Sequence, residues 1–344
     1  MTTDTIDMPT LMACETQEAP TRVAEMLARN AAAYAALGAR LRASPPPVVV
    51  TCARGSSDHA ATYGKYLIET LVGVPVASAA PSIASVFDAD VSAARALVLA
   101  VSQSGRSPDL LASVDAYAGS GALVAALVND EASPLAERAD VALPLASGAE
   151  KSVAATKSCI AAMVGLAAIA AAWSEDQALS DALAALPDAL ERAVKADWSA
   201  AVAPLTNVSQ MFVIGRGYGF GIAQECALKF KETCAIQAEP FSSAEVRHGP
   251  MAIVRDGFPV LALATSDSAG DDVVAVASEF AGRGASVLLA HAGSGKGLPA
   301  EAAHPAIEPI LMLASFYGLV EQLARARGRN PDQPPFLSKV TRTR

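Results

Sequence analysis

The run Ala96-Leu97-Val98-Leu99-Ala100-Val101 is continuously apolar and breaks off into Ser102-Gln103-Ser104-Gly105-Arg106-Ser107, after which Pro108 opens a helical pattern. A strand that is apolar on both faces must be covered on both faces, which is the situation of a parallel sheet flanked by helices. Ending such a strand in small hydroxyl residues just before a helix brings together free backbone N–H groups, the positive end of the helix dipole and serine donors. That arrangement holds an anion. The one charged side chain of the loop is Arg106, and there is no Walker lysine. A nucleoside triphosphate is therefore not the expected ligand, and a small phosphorylated metabolite is. Taken alone, the loop also fits a serine-rich helix cap.

The alternation extends along the chain. Residues 1–20 read as irregular and 21–43 as a helix ended by Pro45-Pro46-Pro47. Strands are expected over 48–52, 74–80, 96–101, 122–128 and 141–145, with helices over 58–72, 108–117 and 153–173. A charged helical stretch over 176–202 links this unit to a second one. There, strands are expected over 211–214, 259–264, 285–290 and 304–307, and helices over 221–236 and 309–327. The predicted class is α/β, two doubly wound parallel-sheet, flavodoxin-like domains in tandem. The boundaries are an arm and helix over 1–45, a first domain over 46–190 and a second over 196–344. Val50-Thr-Cys-Ala-Arg54-Gly55 and Val213-Ile-Gly-Arg216-Gly217 share a plan that fits an ancient duplication.

The 344 residues are 52% hydrophobic and 18% charged, with a net charge of −9. That balance argues against nucleic acid or an anionic membrane as partner. Five widely spaced cysteines without a C-x-x-C read as free thiols of a reducing cytoplasm, with no zinc site. The acidic N-terminus is not a signal peptide. The strongly apolar, uncharged run 158–174 falls short of the roughly 20 residues that span a bilayer and reads as a buried helix. A cytoplasmic protein is expected.

Three constellations carry possible chemistry. Arg54-Gly55-Ser56-Ser57-Asp58 is a second hydroxyl-rich strand-to-helix turn, and with the 102–107 loop it puts two such loops at one sheet edge. Glu225, Lys229 and Glu232 share a helix face at i, i+4 and i+7. Spacing favours a solvated ion-paired face, and the functional reading makes Glu232 a general base tuned by lysine and partial burial. His248 lies in a turn against Gly249-Pro250. The other histidines, His59, His291 and His304, read as structural.

These residues, with Glu150-Lys-Ser-Val153-Ala-Ala-Thr-Lys157, Gly215-Arg-Gly, Ala238-Glu239 and the tail Asp332-Gln-Pro to Leu-Ser-Lys339, occur in one order from about residue 12 onward. The set resembles the sugar isomerase (SIS) family. Within it, the chain is similar to the isomerase half of glutamine-dependent glucosamine-6-phosphate synthase and to stand-alone glucosamine-6-phosphate deaminases. The resemblance implies that Ser102, Gln103, Ser104 and Ser107 bind phosphate, with Gly55, Ser56 and Ser57 as the second loop. It implies that Val153 and Ser338 line the sugar site, and that Glu232 moves a proton between C1 and C2 with support from Lys229. It also implies that His248 opens the sugar ring from the neighbouring subunit of a homodimer, and that Lys339 can form a Schiff base, which would turn the tail into a lid.

Departures from the family's pattern bear on the identity of the sugar and not on the phosphate: Arg106-Ser107 replaces Glu-Thr, Ala155 a serine, Gln237 a histidine and Ser338 an alanine. Residues 12–20 resemble the segment just after a glutaminase domain, so ammonia from glutamine within this chain is not expected. The implied activity is deamination of glucosamine 6-phosphate to fructose 6-phosphate and ammonia, without metal or cofactor. A galactosamine-6-phosphate deaminase, a deglycase of phosphorylated Amadori products and a non-catalytic sugar-phosphate sensor are the alternatives. A sensor has no need of Glu232, His248 and Lys339 together.

Overall fold

A computed structural model describes residues 8–339. The chain begins with α1 (Leu11–Gln17) and α2 (Ala19–Ala43). The first α/β unit follows as β1 (Val49–Cys52), α3 (Ser56–Leu71), β2 (Val76–Ser78), α4 (Ser82–Ser85) and β3 (Leu97–Ser102). It continues with α5 (Pro108–Gly119), β4 (Leu123–Val128), α6 (Pro134–Arg138), β5 (Val141–Pro144), α7 (Lys157–Ser174) and α8 (Gln177–Ala193). A short α9 (Val202–Leu205) leads to β6 (Gln210–Gly215), α10 (Phe220–Cys234), β7 (Gln237–Ser242) and β8 (Pro259–Ala264). The last elements are α11 (Ser268–Gly282), β9 (Ser286–His291) and α12 (Glu308–Ala326).

Both sheets are parallel throughout. The first has the order β2-β1-β3-β4-β5 and the second β7-β6-β8-β9. In each, the chain starts in an inner strand, steps outward, then returns to the other side. That reversal opens a crevice at the strand C-termini, between β1 and β3 or between β6 and β8. The two-residue period of a strand divides the core. Leu97, Leu99 and Val101 of β3 join Val213 of β6 and Leu261 of β8 in one core that lies between the sheets. Val98 and Ala100 face an outer core with Leu110 and Val114 of α5, while Phe212 and Val260 face another with Val273 and Phe280 of α11.

The inner core holds α7, whose length and hydropathy would suit a membrane span but which is 89% buried inside the protein. It also brings α3 of the first unit against α10 of the second. Gly221 makes this approach possible, since a Cβ there would lie 2.7 Å from the His59 carbonyl oxygen and 2.9 Å from the Tyr63 nitrogen.

Several sequence expectations are corrected. Part of the stretch read as irregular is α1, capped by the Thr10 side chain and by the Asp332 carboxylate, which accepts from the Leu11 and Met12 N–H groups at 2.8 and 2.7 Å. Residues 153–156 precede the helix expected to contain them, because Glu150 accepts from the Thr156 N–H and Val153 donates to the Asp332 carbonyl. The expected strand at 304–307 is a turn that leads into α12, with His304 accepting from the Ala306 and Ile307 N–H groups. β7 escaped the sequence reading because it carries Glu239 and Pro240. It is an edge strand, where a proline costs little.

Candidate active site

The β1/β3 crevice of the first sheet opens into a cavity of about 330 Å³. Its walls include Gly55, Ser56 and Ser57 from the β1–α3 turn and Ser102, Gln103, Ser104 and Ser107 from the β3–α5 loop. Val153, Ala155, Ser158 and Cys159 close a third side, and Lys339 of the tail lies over it. Gly55 has φ +56° and ψ −132°, a conformation that lets β1 turn straight into α3 and aims the first N–H groups of that helix at the cavity. Ser107 begins α5 without making a side-chain cap, so its hydroxyl remains available to a ligand. Ser102 Oγ accepts from the Gly105 N–H at 2.9 Å and fixes the loop. Arg106 turns away to Asp130 at 2.8 Å.

Behind Ser56 lies a buried ionic network. Lys229 is fully buried and donates to Ser56 Oγ at 3.0 Å and to Glu232 Oε2 at 2.8 Å. Glu225, also buried, lies 3.2 Å from the same ammonium. His59 Nδ1 lies 2.9 Å from the other Glu225 oxygen, and the Tyr317 hydroxyl donates to Glu225 at 3.2 Å. Burial alone would discharge Lys229, but the two carboxylates outweigh it and hold its pKa above the ordinary lysine value. Burial likewise opposes charge on Glu225, and Lys229 and His59 reverse the effect and lower its pKa. The expected solvated face on α10 is thereby corrected, because α3 and α12 cover it. His59, read as structural, is part of this network. Glu232 is the exposed end, with 20% of its side chain accessible.

The tail is held against the first unit at Lys339. Its Nζ donates to Glu150 Oε2 at 3.0 Å and to the Ser152 carbonyl at 2.7 Å. Glu150 is buried and also accepts from the Ser158 hydroxyl and from the Thr156 and Ser158 N–H groups. Burial would raise its pKa, but Lys339 and these donors bring it below the usual carboxylate value. Cys159 also lines the cavity, with its thiol pushed well up by burial and therefore unreactive as a thiolate at neutral pH.

The structure thus gathers Gly55, Ser56, Ser57, Ser102, Gln103, Ser104, Ser107, Val153 and Lys339 around one cavity. Lys229 touches it through Ser56, and Glu232 through Lys229. His248 is exposed in the turn that follows Glu245–Arg247, and it does not line the cavity. Neither does Ser338, beside Lys339 in the chain. Sequence reasoning gave Glu225 only a place on a solvated ion-paired face and assigned no role to Glu150 or Arg54. Glu150 stood in a quoted motif, but its role depends on partners 189 residues away.

The SIS domain family matches twice, over residues 46–172 and 204–326, one match to each sheet. The chain belongs to the SIS domain family. It is 36% identical over 308 residues to the isomerizing glutamine-fructose-6-phosphate aminotransferase of Aeropyrum pernix, a match covering 83% of this chain and 49% of that protein. The counterpart in Symbiobacterium thermophilum is 34% identical over 327 residues, covering 88% and 52%. The chain spans about half the length of these curated relatives. Among solved structures, a Silicibacter pomeroyi protein provisionally described as a phosphosugar isomerase is 42% identical, with a TM-score of 0.89, over 94% of this chain and all of that one. Glucosamine-6-phosphate deaminase from Thermotoga maritima superposes with a TM-score of 0.79 at 22% identity, over 97% of this chain and 100% of that one. At that identity the likeness concerns the fold.

Proposed function

We propose that this protein is an isomerising hexosamine-phosphate deaminase, acting on glucosamine 6-phosphate and water to release fructose 6-phosphate and ammonia. The observation that carries this reading is the hydrogen-bonded path from the cavity wall through Ser56 to Lys229 and Glu232, an acid–base group wired to a hydroxyl-lined anion cradle. The serine loops and the two helix N-termini hold the phosphate and fix the sugar. His248, donated by a second copy of the chain, assists ring opening. The open-chain C1 aldehyde acidifies the C2 hydrogen, Glu232 removes that proton and returns it at C1, and O1 takes up a proton from the site. The product is a protonated C2 imine, which gives that proton back to the site when water adds. Water adds to C2 and ammonia leaves, with Lys339 able to exchange with the amine through its own imine. Lys229 holds the Glu232 carboxylate in position between turnovers.

The test is ammonia and ketose-phosphate release from glucosamine 6-phosphate, beside galactosamine 6-phosphate and a Glu232→Gln variant. Stoichiometric ammonia that falls about 10²–10⁴-fold in the variant is expected for loss of a general base. Turnover of the galacto epimer alone would keep the mechanism and change the substrate. Binding of both sugars without ammonia would overturn the deaminase reading.

A further inference from the structure

We infer that Arg54 is a phosphate ligand of this cavity, held in reserve by Asp109. The inference rests on reading the cavity as a sugar-phosphate site. Of the residues lining that cavity, the cationic ones are Arg54 and Lys339. Lys339 is matched by Glu150 at 3.0 Å. Lys229, behind the wall, is shared between two carboxylates. Arg106, the charge within the serine loop itself, does not line the cavity and pairs with Asp130. A phosphate monoester carries close to two negative charges at neutral pH, so hydroxyls and helix dipoles alone would leave it undercompensated.

Arg54 meets that need by position. It sits on the β1–α3 turn, directly before Gly55, and reaches across the crevice to Asp109 in the first turn of α5. Its Nε and Nη2 both donate to one oxygen, Asp109 Oδ2, at 3.0 and 2.8 Å, and Nη1 takes no part in that contact. The other Asp109 oxygen is spent on the Leu110 N–H at 2.8 Å. The Asp109 side chain is 1% exposed while that of Arg54 is 52% exposed. One partner is therefore fixed in the wall and the other is free to turn. A guanidinium gripped at one edge keeps a second edge for a phosphate oxygen, the geometry in which arginine outperforms lysine. Asp109 keeps the guanidinium parked at the cradle when no anion is present.

The experiment measures the Kd of inorganic phosphate and of fructose 6-phosphate for the wild-type chain, Arg54→Gln, Asp109→Asn and the double variant. Loss of one charge-assisted contact should weaken both ligands about 10- to 100-fold in Arg54→Gln. Asp109→Asn, which frees the arginine, should bind them as tightly as the wild type or tighter. The double variant leaves no unpaired charge in the wall and should bind as weakly as Arg54→Gln. Arg54→Lys should recover part of the loss. Equal affinity in Arg54→Gln and wild type would overturn the inference, as would no phosphate binding by the wild type. Wild-type affinity in the double variant would also overturn it, by showing that the arginine serves only to neutralise Asp109. Arg54-dependent phosphate binding without ammonia release would instead remove the deaminase reading and leave this one standing.

Discussion

At the scale of single residues, the Glu150 carboxylate is the pivot between the cavity wall and the tail. It is buried, accepts from Ser158 and Thr156, and bridges to Lys339. Its pKa lies below the ordinary value of 4.5 because Lys339 and those donors outweigh the effect of burial. A carboxylate depressed in the folded state adds stability that is complete above its unfolded pKa. That stability is lost as pH falls through the lower folded value. Glu150→Gln should therefore cost about 1.5–3 kcal/mol near neutral pH, the worth of charge-assisted bonds. The melting-temperature gap between wild type and variant should be flat above the ordinary carboxylate range and shrink on acidification below it. A gap that instead widens below pH 4.5 would contradict the sign of the shift. Lys229 follows the same logic more severely. Lys229→Met would leave Glu225 buried without its ammonium, and a loss of about 3–5 kcal/mol is expected in chemical denaturation.

Among elements, the pair α3 and α10 decides whether there is a site at all. Ser56 opens α3, and Lys229 lies on α10, 173 residues later. Their meeting depends on the close crossing at Gly221. In Gly221→Ala the new methyl would press on the His59 carbonyl and the Tyr63 nitrogen, both backbone. Overpacking of this kind costs about 1–3 kcal/mol. It should also part Lys229 from Ser56, so kcat is expected to fall while most of the phosphate affinity of the loops survives. The same crossing explains what was legible beforehand. The loops at 54–58 and 102–107 are contiguous and follow apolar runs, so strand, turn and helix could all be read locally. The i, i+3 contact of Lys229 with Glu232 was also visible as spacing. Whether that face met solvent or α3 was not, since nothing near residue 229 encodes what covers it. The α1 cap at Asp332 and the loop before α7 were hidden for the same reason. Their hydrogen-bond partners come from the other end of the chain.

On the scale of the whole molecule, the two halves repeat one topology but not one site. In the second sheet, the Ser266 N–H after β8 is taken by the buried Glu308 carboxylate at 2.7 Å. Asp272 of α11 collects Arg216 at 2.6 Å and Arg247 at 3.1 Å, together with the Ser243 hydroxyl. Burial opposes that charge, yet these donors bring its pKa down to about 2. The crevice between β6 and β8 is thus satisfied by the protein's own carboxylates, while the one between β1 and β3 is lined with hydroxyls. The second half instead sets Lys229 and Glu232 behind the wall of the first half's cavity, joined to it through Ser56, and presents His248 outward. An exposed His248 that does not line the cavity of its own chain fits a role in the cavity of a second copy. In a two-fold dimer each site would then combine Glu232 of one protomer with His248 of the other. Mixing inactive Glu232→Gln and His248→Ala chains at equal ratio should make half of the dimers mixed. One site in each mixed dimer would carry both native groups, so about a quarter of the wild-type activity should return. The ammonia assay measures this after subunit exchange has been verified by native mass spectrometry. No recovery from exchanged dimers would place Glu232 and His248 of one chain in the same site and overturn the shared-site reading.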